Sequence, residues 1–154
     1  MNEYFINHKN NIPFLEIKEQ YITDYKKELG DFKKLISFCN EELLMPLLNI
    51  EHLYVFAYDS NDNVLGFMLL DIGDENSTKV DNKKMITFLL LSGAAQFLLI
   101  HNHPNGNALP STNDKLTNGS MKVVAGMFDI HYIDGLTIGD ISWCFVSTGE
   151  EHDF

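Results

Sequence analysis

The sequence predicts an α/β protein in which a mixed β-sheet carries packed helices. Three observations lead there. The chain has 154 residues, 45 % of them apolar, enough for one domain with a real core and too apolar for a disordered chain. Short alternating or continuous apolar runs and longer stretches with three-and-four spacing follow one another in the order β-β-α-β-α-β-β, after a leading segment. No repeat, low-complexity tract or long uninterrupted apolar run competes with that reading.

In chain order, Phe14 to Lys18 alternates as a short strand does. Phe32, Leu35, Ile36, Cys39 and Leu43 then recur at helical spacing, with Asp31 as N-cap and Pro46 near the stop. Residues 1–48 thus read as an N-terminal extension of one strand and one helix, ahead of a main domain over 49–150. That domain opens with a hairpin: strands Leu53 to Tyr58 and Val64 to Leu70, joined by the turn residues Asp59-Ser60-Asn61-Asp62-Asn63. A helix is expected over 81–94, burying Met85, Phe88, Leu89 and Leu91 or Ser92. Gln96 to Ile100 has the continuous apolar character of a central strand, and it runs straight into His101. A helix over about 112–128 is expected to bury Leu116, Val123, Val124 and Met127, and strands at about 130–138 and 141–147 flank the Gly139-Asp140 turn.

Charge narrows the function. The net charge is −11, all 11 basic residues are Lys, and residues 51–154 hold 5 Lys against 14 acids, or −9. Such a field repels phosphate backbones, so nucleic acid is a disfavoured partner. The two cysteines, Cys39 and Cys144, fit neither a disulfide framework nor a zinc knuckle and read as buried apolar residues. With no leader or membrane-spanning pattern in the sequence, a cytoplasmic protein is expected. His-Glu-x-x-His, a phosphate-binding Gly-Lys-Ser/Thr loop, a Gly-x-Ser-x-Gly elbow and the zinc-deaminase signature are all absent from the sequence.

The chemistry concentrates in His101-Asn102-His103-Pro104-Asn105-Gly106-Asn107-Ala108-Leu109-Pro110-Ser111-Thr112-Asn113-Asp114. Histidines two apart at a strand end point to the same side. A Pro- and Gly-containing loop then turns the chain back, and Asp114 falls in the first turn of the next helix. His101, His103 and Asp114 supply the ligand count of a catalytic zinc site whose fourth position is left to water, which zinc acidifies to a pKa of about 7. Glu51, entering the first apolar strand of the main domain, is the candidate base. Ser111 and Asp114 also have the spacing of a capping box. The remaining histidines carry no such pattern: His8 and His152 read as terminal and solvated, His131 as a strand residue, and His52 as facing away from Glu51.

The pattern His101-x-His103-x7-Ser111-x2-Asp114 with an upstream Glu51 resembles the JAMM motif of the JAB/MPN metallopeptidases. The flavour His-Asn-His-Pro-x-Gly-x3-Pro-Ser is similar to that of RadC-like JAB proteins, and the likeness covers about 49–148. It implies a cytidine-deaminase-like three-layer sandwich, zinc held by His101, His103 and Asp114, Glu51 polarising the zinc water, and Ser111 hydrogen-bonding the forming oxyanion. The implied activity is that of a JAMM-type zinc metallopeptidase or isopeptidase acting on a peptide or protein, whether a ubiquitin-like tail, a peptidoglycan-type peptide or a partner's cleavage site. An idle MPN-type binding module and an accessory role in DNA processing stay open as alternatives. The chain departs from the family pattern at Asn105, at Asn82-Lys83-Lys84 and at Gly135, where RadC-like members commonly place His. Those departures leave the metal ligands intact and bear on substrate recognition.

Overall fold

A computed structural model describes residues 1–21, 31–73 and 80–154. The elements are β1 (Asn2–Lys9), β2 (Ile12–Gln20), α1 (Phe32–Glu41), a 3-10 turn (Met45–Leu47), β3 (Glu51–Tyr58), β4 (Val64–Gly73), α2 (Asn82–Ser92), β5 (Gln96–Asn102), α3 (Thr112–Gly126), β6 (His131–Ile138), β7 (Ser142–Phe145) and β8 (Glu151–Asp153). The strands form one mixed sheet in the order β2-β1-β4-β3-β5-β6-β7-β8, parallel at β1/β4 and β5/β6 and antiparallel elsewhere.

Strand periodicity builds the layers. Along β3 and β5, Tyr54, Phe56, Leu98 and Ile100 point to one face and pack with Leu35, Phe38 and Cys39 of α1. Leu53, Val55, Phe97 and Leu99 point to the other and pack with Met85, Phe88 and Leu89 of α2 and Met121 and Ala125 of α3. A strand buried on both faces needs a continuous apolar run, which is why 96–100 lacks polar alternation. The result is a mixed central sheet flanked by helices on both sides, the α/β sandwich expected, and one consistent with a JAB/MPN-like fold. None of the helices among the described residues is long and apolar enough to cross a membrane.

The helix ends follow local chemistry. Asp31 caps α1 through Lys33 N–H, Asp81 caps α2 through Lys84 N–H, and Gly93 closes α2 in the left-handed region at φ 71°. Both cysteines are buried thiols, as expected.

The structure corrects several expectations. The extension contributes two strands, not one: β1 and β2 form a hairpin that joins the main sheet beside β4. β1 was illegible because Asn2-Glu3-Tyr4-Phe5-Ile6-Asn7-His8-Lys9 has a weak apolar alternation, and its partner supplies what the sequence lacks. β8 is an added edge strand, and it holds His152 half-buried against Trp143 (ring centroids 4.6 Å apart) instead of in solvent. Within α2 the buried residues are Met85, Ile86, Phe88 and Leu89, whereas Leu91 is exposed. The largest reversal is in α3: Leu116, Val123 and Met127 are exposed, while Asn118, Met121 and Ala125 face the sheet. Asp114, Asn118, Met121 and Ala125 lie at i, i+4, i+7 and i+11, one helical stripe, so the face that turns Asp114 inward takes the polar Asn118 in with it.

Candidate metal centre

The antiparallel pairing of β3 with β5 sets Leu53 opposite His101. Glu51, two residues before Leu53, shares its face of β3 and lines one cavity with His101. Glu51 is buried at 7 % exposure. The base candidate and the first histidine are therefore neighbours because two strands run antiparallel, although 50 residues separate them.

His103 lies just past the end of β5, where its N–H donates to the Ile138 carbonyl at the end of β6 (2.8 Å). The loop that follows is fastened to the same place: Asp140 N–H donates to Gly106 O (3.0 Å), and Thr137 Oγ1 donates to the Ala108 carbonyl. Gly139 is required there, since a Cβ on it would lie 2.4 Å from Gly106 O. No local pattern signals that Thr137 and Gly139 shape the ligand loop; both act across the sheet.

His101 Nε2 and His103 Nε2 stand 3.0 Å apart. The Asp114 carboxylate straddles them, with Oδ1 at 3.1 Å from His101 Nε2 and Oδ2 at 3.4 Å from His103 Nε2. Two imidazole nitrogens at that separation need a proton or a cation between them, because two lone pairs repel. His103 Nδ1 lies 2.7 Å from the Asn107 carbonyl and donates to it, which directs Nε2 inward. Burial pulls the His103 pKa down, but Asp114, the Asn107 carbonyl and Glu51 outweigh it and hold it above the ordinary histidine value. Burial likewise raises the Asp114 carboxyl, and the hydrogen bonds and charges of His101 and His103 override it, holding it well below the usual carboxylate range.

Ligand bonds of about 2.0–2.2 Å give a tetrahedron edges of about 3.3–3.6 Å, close to the spacing of these donors. Two nitrogens and a carboxylate oxygen, all inward-facing and within 4.8 Å of one another, are a donor set that fits a borderline divalent ion. Ser111 is the N-cap of α3: its Oγ accepts from Asp114 N–H (3.1 Å), and Asp114 Oδ2 accepts from Ser111 N–H (2.6 Å). The capping box and the metal-ligand geometry coexist, because the box holds Asp114 in the first turn with its other oxygen turned to His101. Glu51, His103, Ser111 and Asp114 line a cleft of about 370 Å3.

A RadC-like JAB domain model matches residues 29–153. The chain belongs to the RadC-like JAB domain family. Family relatives include a UPF0758 protein of Chlorobaculum tepidum, 25 % identical over 60 % of this chain and 42 % of that one. Another, from Shewanella pealeana, is 32 % identical over 64 % of this chain and 45 % of that one, and one from Pseudomonas fluorescens is 33 % identical over 53 % and 37 %. The chain therefore spans less than half the length of these curated relatives.

Asn102 was missed as a site residue of this JAB domain. It sits between the two histidines and so points to the opposite face, where it is 1 % exposed. Its Oδ1 accepts from His52 N–H (2.8 Å), and its Nδ2 donates to the carbonyls of Leu48 (3.3 Å) and Ile50 (3.1 Å). The segment that delivers Glu51 is thus pinned to the strand that delivers the histidines. The alternation that pairs His101 with His103 already carried that signal.

Proposed function

We propose that the chain is a zinc-dependent hydrolase of peptide or isopeptide bonds. One observation carries the reading: a two-nitrogen, one-carboxylate donor set shares a cleft with a buried carboxyl and with the hydroxyl of Ser111. A metal held only for structure has no use for either additional group.

When bound, zinc supplies Lewis acidity, polarising the scissile carbonyl and easing the loss of a proton from water. His101, His103 and Asp114 hold it, with Asn107 fixing the His103 ring. Glu51 takes the proton from the attacking water and passes it to the leaving nitrogen. Ser111 uses an oxygen lone pair to cap α3, which leaves its hydroxyl hydrogen to donate to the developing oxyanion. The ligand carboxylate and Glu51 account for two of the nine net negative charges in residues 51–154, and the remaining acidity favours a basic or neutral peptide or protein over an anionic one, nucleic acid included.

The test is zinc analysis of protein purified metal-replete, with His103→Ala as control, followed by capture of substrates on Glu51→Gln and mass spectrometry of what is held. About one zinc per wild-type chain and cleavage that stops in Glu51→Gln are expected. A wild type that stays metal-free under those conditions ends the proposal.

A further inference from the structure

The outer edge of β6 is covered along only part of its length. β7 pairs with Leu136, Thr137 and Ile138, Val146 N–H donates to the Gly135 carbonyl (2.9 Å), and Ser147 N–H ends the run on Asp134 Oδ1 (3.2 Å). The chain then turns back at Gly149, in the left-handed region at φ 71°. His131, Tyr132 and Ile133 are left with β5 on one side and, among the described residues, no strand on the other. His131 N–H donates to the Ala95 carbonyl (2.9 Å), so His131 faces β5, and alternation turns the N–H and C=O of Tyr132 outward.

A cavity lies on each side of that edge, and the two share His131 and Ile133. Toward α1, about 230 Å3 is walled by Phe32, Tyr58, Leu98 and Ile133, with Asp62 and Gln96, hydrogen-bonded to each other, as its polar part. Toward α3, about 400 Å3 lies between Lys122 and Gly126 of that helix and Ile130 and Tyr132. A Cβ on Gly126 would meet nothing within 4 Å. Lys122 has no hydrogen bond or ion pair among the described residues. A strand added to such an edge makes main-chain hydrogen bonds with it and sends alternate side chains to its two faces, one into each cavity.

We propose that the edge of β6 at Tyr132 docks an extended segment of a partner protein, antiparallel and in line with β7, carrying an acidic residue between two large aliphatic ones. Tyr132 packs toward α3, and the residue directly opposite it in an antiparallel pair shares that face. That residue is therefore the acid, because an unpaired lysine in a groove with apolar walls selects a carboxylate. Its two neighbours point to the other face, where Ile133 and Leu98 belong to the α1 layer and the cavity is walled mainly by apolar and aromatic groups. The edge lies at the Gln96 end of β5, about 16 Å along the strand from His101, and its docking role does not rest on the hydrolase reading.

The probe is the peptide acetyl-Thr-Leu-Glu-Leu-Thr-amide. The control, acetyl-Leu-Thr-Glu-Thr-Leu-amide, has the same composition and charge but puts Leu and Glu on one face. Both are titrated into the full chain and followed by nitrogen-proton spectra at the Tyr132 backbone amide. The probe is expected to shift that signal and slow its exchange with solvent, and the control to bind about tenfold more weakly, the scale of one buried aliphatic side chain. N-methylation of the probe at Glu removes its donor to the Tyr132 carbonyl and is expected to cost about fivefold, the scale of one neutral hydrogen bond. Lys122→Glu is expected to reverse the preference, favouring the same peptide with Lys in place of Glu, and Gly126→Leu to block binding by filling the groove. An unmoved Tyr132 signal, equal binding of probe and control, unchanged affinity after N-methylation, or an unchanged charge preference in Lys122→Glu each overturns the proposal. So does a chain that sediments as a dimer without peptide and as a monomer in Gly126→Leu, since a second copy then takes the edge. If Gly126→Leu does not fold, Lys122→Glu and the methylated peptide decide.

Discussion

The two faces of β5 at its C-terminal end carry polar residues of opposite character. On one, His101, His103 and Asp114 crowd ionisable groups to within 4.8 Å, with the His103 pKa held up and that of Asp114 held down by their neighbours. On the other, Asn102 uses its oxygen and its nitrogen on three backbone partners and leaves none of them wanting. One strand therefore holds a cluster that needs a proton or a cation beside a side chain that is already satisfied. Satisfaction, more than burial, separates a group held for chemistry from one held for architecture.

That contrast breaks most sharply on metal content. His101→Ala is expected to lose its zinc almost completely while the chain stays folded, because the first face is not where the fold is held; zinc analysis with circular dichroism checks both. Asn102→Ala is expected to do the reverse. It strands His52 N–H and the Leu48 and Ile50 carbonyls, a cost of about 2–3 kcal/mol in denaturant unfolding, with zinc still bound. Loss of zinc without loss of stability in Asn102→Ala would erase the distinction.

Proton competition sharpens it further. With the His103 pKa raised in the metal-free protein, zinc must displace a proton below that value, so affinity is expected to fall by up to about tenfold per pH unit as pH drops through it. The metal-free fold shows the opposite sign: the stabilisation His103 gains from Asp114 is full below the ordinary histidine value and lost as pH rises through the elevated one. Asp114, with its depressed pKa, contributes above the ordinary carboxylate value and loses that contribution as pH falls. Competition titrations with a zinc chelator between pH 5 and 8 measure the first effect.

The smallest effect is at Ser111. Ser111→Ala removes an N-cap and is expected to cost about 1 kcal/mol in thermal or denaturant unfolding. Ser111→Asp keeps a capping oxygen and restores that stability without restoring the hydroxyl donor, so any hydrolysis lost in both variants reports on the oxyanion alone.

How much was legible in the sequence depends on the distance over which each feature is decided. Strand periodicity, the Asp31 cap, the ligand run from His101 to Asp114 and the candidate base Glu51 follow from local patterns, and the structure puts Glu51, His101, His103 and Asp114 in one place. The inward face of α3 could not be read from its apolar residues, because Leu116, Val123 and Met127 form a stripe that competes with the one containing Asp114, and only docking on the sheet chooses.

By itself, then, the sequence determined what groups are present: a donor set, a strand-end carboxyl, a capped helix and a two-sided apolar strand, each encoded over a few residues. Tertiary structure alone decided what surrounds that chemistry. The hold of Asn102 on residues 48–52, the fastening of the ligand loop by Thr137 and Gly139, and the hydrogen bond from Gly135 N–H to Asn118 Oδ1 each join residues from separate elements. Hydrogen bonds and close approach act through space, and spacing along the chain carries no record of them until the sheet has brought its strands together.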